Sequence, residues 1–366
     1  MEAVKQNGEA LEFAYELQSD HNIVLEAVKQ NWCALEYASD ELKNDPTILL
    51  GAVKQNGAAL KYASDELKNN PAIVLEAVKN YDNAVEYAGD KLKNDSTFLL
   101  EAVRQSWEGL KYASDELKND PTIVLEAVKQ DDRAFRYYAS SELKNNHDFV
   151  LEAVNGNGRA LKHVPRKFKN DHDIVLEAVN QNGGALQYAS NELKNDHVIV
   201  LKAVQQNVVA LKYASRKFKD DQDVVLAALK QDNHSLQYAS KQLRNNHLFV
   251  MEAVKWNVDA LSSTSNELKN DPSIVLQAVK WNVAALYYAS KQLKNNQGVV
   301  LEAVKQNWRA IQYASQQLKN DPTIVLEAVK QSWEAFEYAS VEIKNDPTIV
   351  LEAVKKTGQA LKYASD

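Results

Sequence analysis

The stretch Asp45-Pro46-Thr47-Ile48-Leu49-Leu50-Gly51-Ala52-Val53-Lys54-Gln55-Asn56-Gly57, continued by Ala58-Ala59-Leu60-Lys61-Tyr62-Ala63-Ser64-Asp65-Glu66-Leu67-Lys68-Asn69, decides the fold. The chain rewrites it from end to end. Numbered from the first residue of their LEAV-like motif, the units start at Met1, Leu25, Leu50, Leu75, Leu100, Leu125, Leu151, Leu176, Leu201, Leu226, Met251, Leu276, Leu301, Leu326 and Leu351. The spacing is 25 residues, except 24 in the first unit and 26 from Leu125 to Leu151. A fixed period of this size marks a stacked array, and 25 residues leave room for two short helices and almost no loop.

Within a unit, position 21 is Asp or Asn, as in Asp45, Asn70 and Asp120, and these side chains accept the free N–H groups of a helix start. Position 22 is proline in six units, where its missing N–H costs nothing. Helix A therefore begins here and runs about ten residues through Thr-Ile-Val-Leu-Glu-Ala-Val-Lys-Gln. Ile123, Val124, Leu125, Ala127 and Val128 form one broad apolar face, with Glu126 and Lys129 opposite. Position 7, usually Asn, supplies a second cap and opens helix B, which buries residues such as Ala59, Leu60 and Ala63. Pro165 at position 15, the residue lost near Tyr15 and the residue gained near Tyr137-Tyr138 all place the end of helix B near position 15. The Asp-Glu-Leu-Lys-Asn that follows reads as a short 3₁₀-like turn docking a leucine such as Leu67 or Leu117. Helices this short are marginal alone and must lean on their neighbours.

The expected fold is an all-α solenoid, a superhelix of about 14.5 tandem units forming a single array over residues 1–366. A change of curvature is expected near 137–165, where the long unit meets Asn155-Gly156-Asn157-Gly158 and Pro165.

Comparing the units with one another separates framework from variable positions. Position 8 is Gly57 in one unit, Asp82 in the next and Trp107 in the one after. Cores resist such changes of volume, so this position reads as an exposed rim. Trp32, Trp107, Trp308 and Trp333 occupy it, and Trp256 and Trp281 stand at position 6. Trp256, Trp281, Trp308 and Trp333 fall in consecutive units and should form a row. Exposed aromatic rows mark binding surfaces, and the six tryptophans are the candidate partner-binding residues. The competing reading folds each indole back over its neighbouring unit. Ser263 and Thr264, replacing the usual Tyr-Ala, should leave a small water-filled notch beside the row.

No catalytic, cofactor-binding or metal-ligating residue is identified, and the chain does not read as an enzyme. His21, His147, His172, His197 and His247 recur at position 22, one repeat apart, too far apart for metal ligands to converge. Cys33 is the sole cysteine, without a Cys-x-x-Cys partner. Acids at positions 2 and 17 and lysines at 5 and 19 recur as a solvated face would. The net charge of −7 argues against nucleic-acid binding by charge neutralisation. No apolar run reaches the length of a membrane span, and the N-terminus shows no signal peptide, so a cytoplasmic protein is expected.

Segments such as Leu326-Glu327-Ala328-Val329-Lys330 with Tyr338-Ala339-Ser340 resemble a helical repeat family catalogued as a domain of unknown function, with consensus LxAVKQNGxALxYASxELKxDxxIV. The resemblance spans essentially the whole chain. That family occurs in effectors of intracellular bacteria and in protist proteins, which implies a binding array and delivery to a host cell, and brings no catalytic residues with it. The first functional expectation is a non-enzymatic scaffold for a protein or peptide. The second is end-to-end self-association or a piece of a longer effector, since Met1 enters the pattern in mid-helix and Asp366 follows a YAS motif. RNA recognition by repeats ranks last.

Overall fold

The structure is a computed structural model and describes residues 2–232 and 234–363. The chain packs as two compact halves, Met1–Leu193 and Lys194–Asp366. Each half is by itself an all-α solenoid of tandem units, and no strand occurs among the described residues.

Helix A is ten residues long in nearly every unit, as in Pro46–Gln55, Pro121–Gln130 and Pro322–Gln331. The Asp120 carboxylate accepts the N–H groups of Thr122 at 2.8 Å and Ile123 at 3.2 Å. Position 7 then does two jobs. Asn56 takes an extended backbone (φ −155°, ψ 119°) that ends helix A, while its own N–H still reaches the Ala52 carbonyl at 3.0 Å. Its Oδ1 accepts the Ala58 N–H at 3.0 Å and so opens helix B. One residue closing one helix and capping the next explains how the loop is dispensed with.

Helix B differs from the sequence reading in type. It is a 3₁₀ helix in most units, as in Gly57–Tyr62 and Trp308–Tyr313. The third segment, expected to be 3₁₀-like, is a single turn of either kind: α in Asp65–Lys68, 3₁₀ in Leu318–Asn320. The 26-residue unit shows why the winding matters. There helix B is α, Arg133–Tyr137, with Tyr138 N–H bonded to the Ala134 carbonyl at 2.9 Å. An α-helix rises roughly 1.5 Å per residue against roughly 2.0 Å in a 3₁₀ helix, so an added residue lengthens it less. Looser winding thus absorbs the inserted residue, and Tyr137 is pushed out to solvent.

The core repeats from unit to unit in each half. Positions 24, 25, 3 and 4 of helix A are buried, as in Ile123, Val124, Ala127 and Val128, together with Leu60 and Leu67 of the next two segments. The seams between units are stitched by polar groups at positions 15, 19 and 20. Ser290 Oγ donates to Asn270 Oδ1 of the preceding unit at 2.5 Å, and its N–H donates to the Lys269 carbonyl at 2.8 Å. The same hydroxyl accepts the Leu293 N–H at 3.1 Å, and Asn270 Nδ2 donates to Gln292 Oε1 at 3.2 Å. Ser190, Asn170 and Lys169 repeat the pattern in the other half.

Lysine at position 19 is therefore not on a solvated face. Lys169 and Lys269 donate to the carbonyls of Lys162 and Ser262, at 2.8 and 2.6 Å, and so satisfy the open end of helix B. Burial holds the ammonium groups of Lys144, Lys219, Lys269 and Lys294 below their ordinary pKa. The lysines at position 5 are exposed and pair with Glu at position 2, as in Lys129–Glu126 at 3.2 Å.

Candidate docking surface

In most of the described units position 8 is a seam, not an exposed rim, although Asp82 is exposed. In a 3₁₀ helix residues three apart eclipse one another, so position 8 lies in line with the buried position 11. A Cβ added to Gly8, Gly57 or Gly158 would collide with the backbone carbonyl of Ala27, Ala77 or Ala178 in the following unit. Glycine lets the next helix A approach closely. Tryptophan is accommodated differently. Gln130 reaches back from the next unit, accepting the Trp107 N–H at 3.1 Å and donating to the Val103 carbonyl. Gln331 does the same for Trp308 N–H at 3.1 Å and the Val304 carbonyl at 2.6 Å. Large and small residues fit because the seam has two packing solutions.

The four position-8 indoles are accordingly half-buried. Trp32 lies 6.3 Å from the Tyr62 ring and Trp107 lies 5.9 Å from Tyr138, each in the next unit. The Arg133 guanidinium stands over Trp107 at 5.1 Å and that of Arg309 over Trp308 at 4.5 Å. Trp333 opens its helix B in the same half-buried setting. The two position-6 indoles behave otherwise. Each is the last residue of a helix A, His247–Trp256 and Pro272–Trp281, and they are 59% and 42% exposed. Both line one cleft of about 350 Å³ with Lys255, Asn257, Asp259 and Asn282. Trp281 also lines the next cleft, about 450 Å³, with Lys280 and Asn307. The Lys230 ammonium sits 4.8 Å from the Trp256 ring. The structure thus brings together Trp256 and Trp281, and places Trp32, Trp107, Trp308 and Trp333 in seams.

A notch of about 360 Å³ is lined by Thr264 with Lys241, Arg244 and Glu267 among others, but Ser263 is not part of its lining. It shares no lining residue with the tryptophan clefts. Thr264 is buried and donates to the Leu261 carbonyl at 2.9 Å.

The repeat family is now decided by comparison with known proteins. The family model for a domain of unknown function, DUF4116, matches thirteen segments, most of them overlapping, from residues 1–43 to residues 333–366. The chain belongs to the DUF4116 family. No curated protein matches it.

Three further features bear on chemistry in this DUF4116 array. Position-22 histidines do stand at helix starts, and two of them tie units: His21 Nε2 is 3.2 Å from Asp45 Oδ2, and His147 Nε2 is 3.3 Å from Asp171 Oδ2. Among the described residues no three His, Cys, Asp or Glu side chains gather as a metal site requires. Burial pushes the Cys33 thiol pKa up, away from the thiolate a nucleophile needs. No helix among the described residues is long and apolar enough to cross a membrane.

Sequence reasoning missed the stitches at positions 15, 19 and 20, made for instance by Ser190, Lys169 and Asn170. Their near-constancy from unit to unit was the available signal. All three residue types are hydrophilic, so they read as part of a solvent-facing side.

Proposed function

We propose that this chain is a non-enzymatic α-solenoid scaffold that binds a protein or peptide partner over Trp256 and Trp281. The observation that supports it is the pair of exposed indoles in consecutive units, opening onto adjacent clefts of about 350 and 450 Å³. Exposed neighbouring aromatics leave apolar area that a partner covers with gain. The seam tryptophans serve stability instead. Affinity capture with wild-type protein, Trp256→Ser/Trp281→Ser and Trp32→Ser/Trp107→Ser separates the two roles. The position-6 pair should lose the captured partner with melting nearly unchanged. The position-8 pair should melt several degrees lower. Equal capture by the position-6 variant, or its gross destabilisation, overturns the reading.

A further inference from the structure

In several units the lysine or arginine at position 5 is neutralised one turn back. Lys29 pairs with Glu26 at 2.6 Å, Lys79 with Glu76 at 3.0 Å and Arg104 with Glu101 at 3.3 Å. Around the exposed tryptophans this arrangement lapses. Ala227 and Gln277 replace the glutamate, so Lys230 and Lys280 have no carboxylate one turn back. Lys255 lines the first cleft and Lys280 the second, and both are exposed. Lys255 keeps Glu252 one turn back, so in a chain of net charge −7 the cations without such a glutamate beside the two most open indoles are Lys230 and Lys280.

The caps contribute a second chemistry. Asn257 Oδ1 accepts the Asp259 N–H at 2.7 Å and Asn282 Oδ1 accepts the Ala284 N–H at 2.9 Å. With Oδ1 committed to the cap, each amide retains its Nδ2 donors, and both residues line the clefts. Each unit therefore offers one cation, one aromatic face and one carbonyl-seeking amide. Helices pack about 8–10 Å apart, and three residues of an extended chain advance about 10 Å. A peptide running across the units would present every third residue to the same position of successive units.

We propose that Lys255, Trp256, Asn257, Lys280, Trp281 and Asn282 dock an extended, acidic peptide segment with a carboxylate at every third residue. The lysines pair with the carboxylates, the indoles cover the residues between, and the asparagine amides donate to backbone carbonyls. This rests on the docking reading above and adds the chemistry of the occupant. Single-stranded RNA also combines negative charge with stacking faces. It fits less well, because the asparagine amides that line the clefts suit the carbonyls of a peptide backbone.

The test uses the full chain and fluorescein-labelled peptides of tandem Glu-Pro-Ala triplets, matched Gln-Pro-Ala and Lys-Pro-Ala peptides, and labelled oligouridylate, read by anisotropy. The acidic peptide should bind saturably, and more weakly as salt is raised. Lys255→Gln/Lys280→Gln should weaken it on the order of tenfold; glutamine already stands at position 5 as Gln205. Trp256→Ser/Trp281→Ser should abolish it. Equal binding of the glutamine peptide, still dependent on the two tryptophans, overturns the acidic occupant and leaves the docking reading intact. Tighter binding of oligouridylate replaces the peptide with RNA. If no probe binds, the acidic peptide is rejected, and the capture experiment above decides the docking reading independently.

Discussion

Ser235 is a hydroxyl in a methyl's place. Position 10 is alanine in nearly every unit, and here a serine is fully buried with its Oγ unpartnered. An unsatisfied buried polar atom costs about 1–3 kcal/mol. Ser235→Ala should therefore stabilise its surroundings by about 1 kcal/mol, seen as slower amide exchange in residues 222–244. His163 is a second such residue. It replaces the position-13 tyrosine, whose hydroxyl elsewhere donates to an acid of the preceding unit, as Tyr62 does to Glu36 at 2.6 Å and Tyr288 to Asp259 at 2.7 Å. The His163 side chain is 6% exposed, with Nε2 2.9 Å from Asp132 Oδ2. Burial lowers its pKa below the ordinary 6.5; Asp132 opposes this, while Lys162 and Arg136 add to it. Arg159, 3.8 Å from Asp132, shares that carboxylate. A depressed folded-state pKa means the unfolded chain binds the proton first. Stability from this site is thus full above about pH 6.5 and is lost as pH falls below it. Between pH 7.5 and 5.5 the wild type should lose more melting temperature than His163→Tyr; equal losses would show that the imidazole titrates freely.

Two glycines, six residues apart, separate the demands on the elements. Gly51 lies inside helix Pro46–Gln55 with nothing within 4 Å of an added Cβ, whereas a Cβ at Gly57 would strike the Ala77 carbonyl. Gly51→Ala should stabilise by about 0.5–1 kcal/mol through backbone entropy. Gly57→Ala should destabilise by about 1–3 kcal/mol through overpacking. Thermal melts of the two variants should move in opposite directions. The same contrast marks what could be read from sequence. Helix A, its Asp-Pro start, its length and the shared Asn56 cap were legible because caps and apolar spacing are local. The 3₁₀ winding of helix B was not. Six residues of GAALKY show too little of any period to distinguish three residues per turn from 3.6, and the choice is set by the distance to be spanned between neighbours. The placement of position 8 followed from that winding, which is why glycine and tryptophan looked like surface variation. The exposure of Trp256 and Trp281 was expected from variability, but their place at the ends of helix A and the clefts beside them distinguish them from Trp308 and Trp333.

At the scale of the molecule, the hydrogen bonds among the described residues reach from one unit to the next. Ser190 to Asn170 spans 20 residues and His163 to Asp132 spans 31. Stability in such an array is close to a sum of unit and nearest-neighbour terms. Excising residues 50–74, one whole period, should leave circular dichroism per residue unchanged and lower the melting temperature only slightly. Excising half a period should unfold the flanking units. The glutamine that fills a tryptophan seam belongs to the following unit: Gln130 serves Trp107, and Gln331 serves Trp308. The matched pair straddles the boundary at which the repeat is most easily read. A gene that lengthens by copying a segment from LEAV to LEAV would part each indole from its wedge. One copied from position 8 to the next position 7 would keep them together. The packing module of this protein is therefore out of phase with its spelling, and chimaeras joined just after position 7 should inherit intact seams.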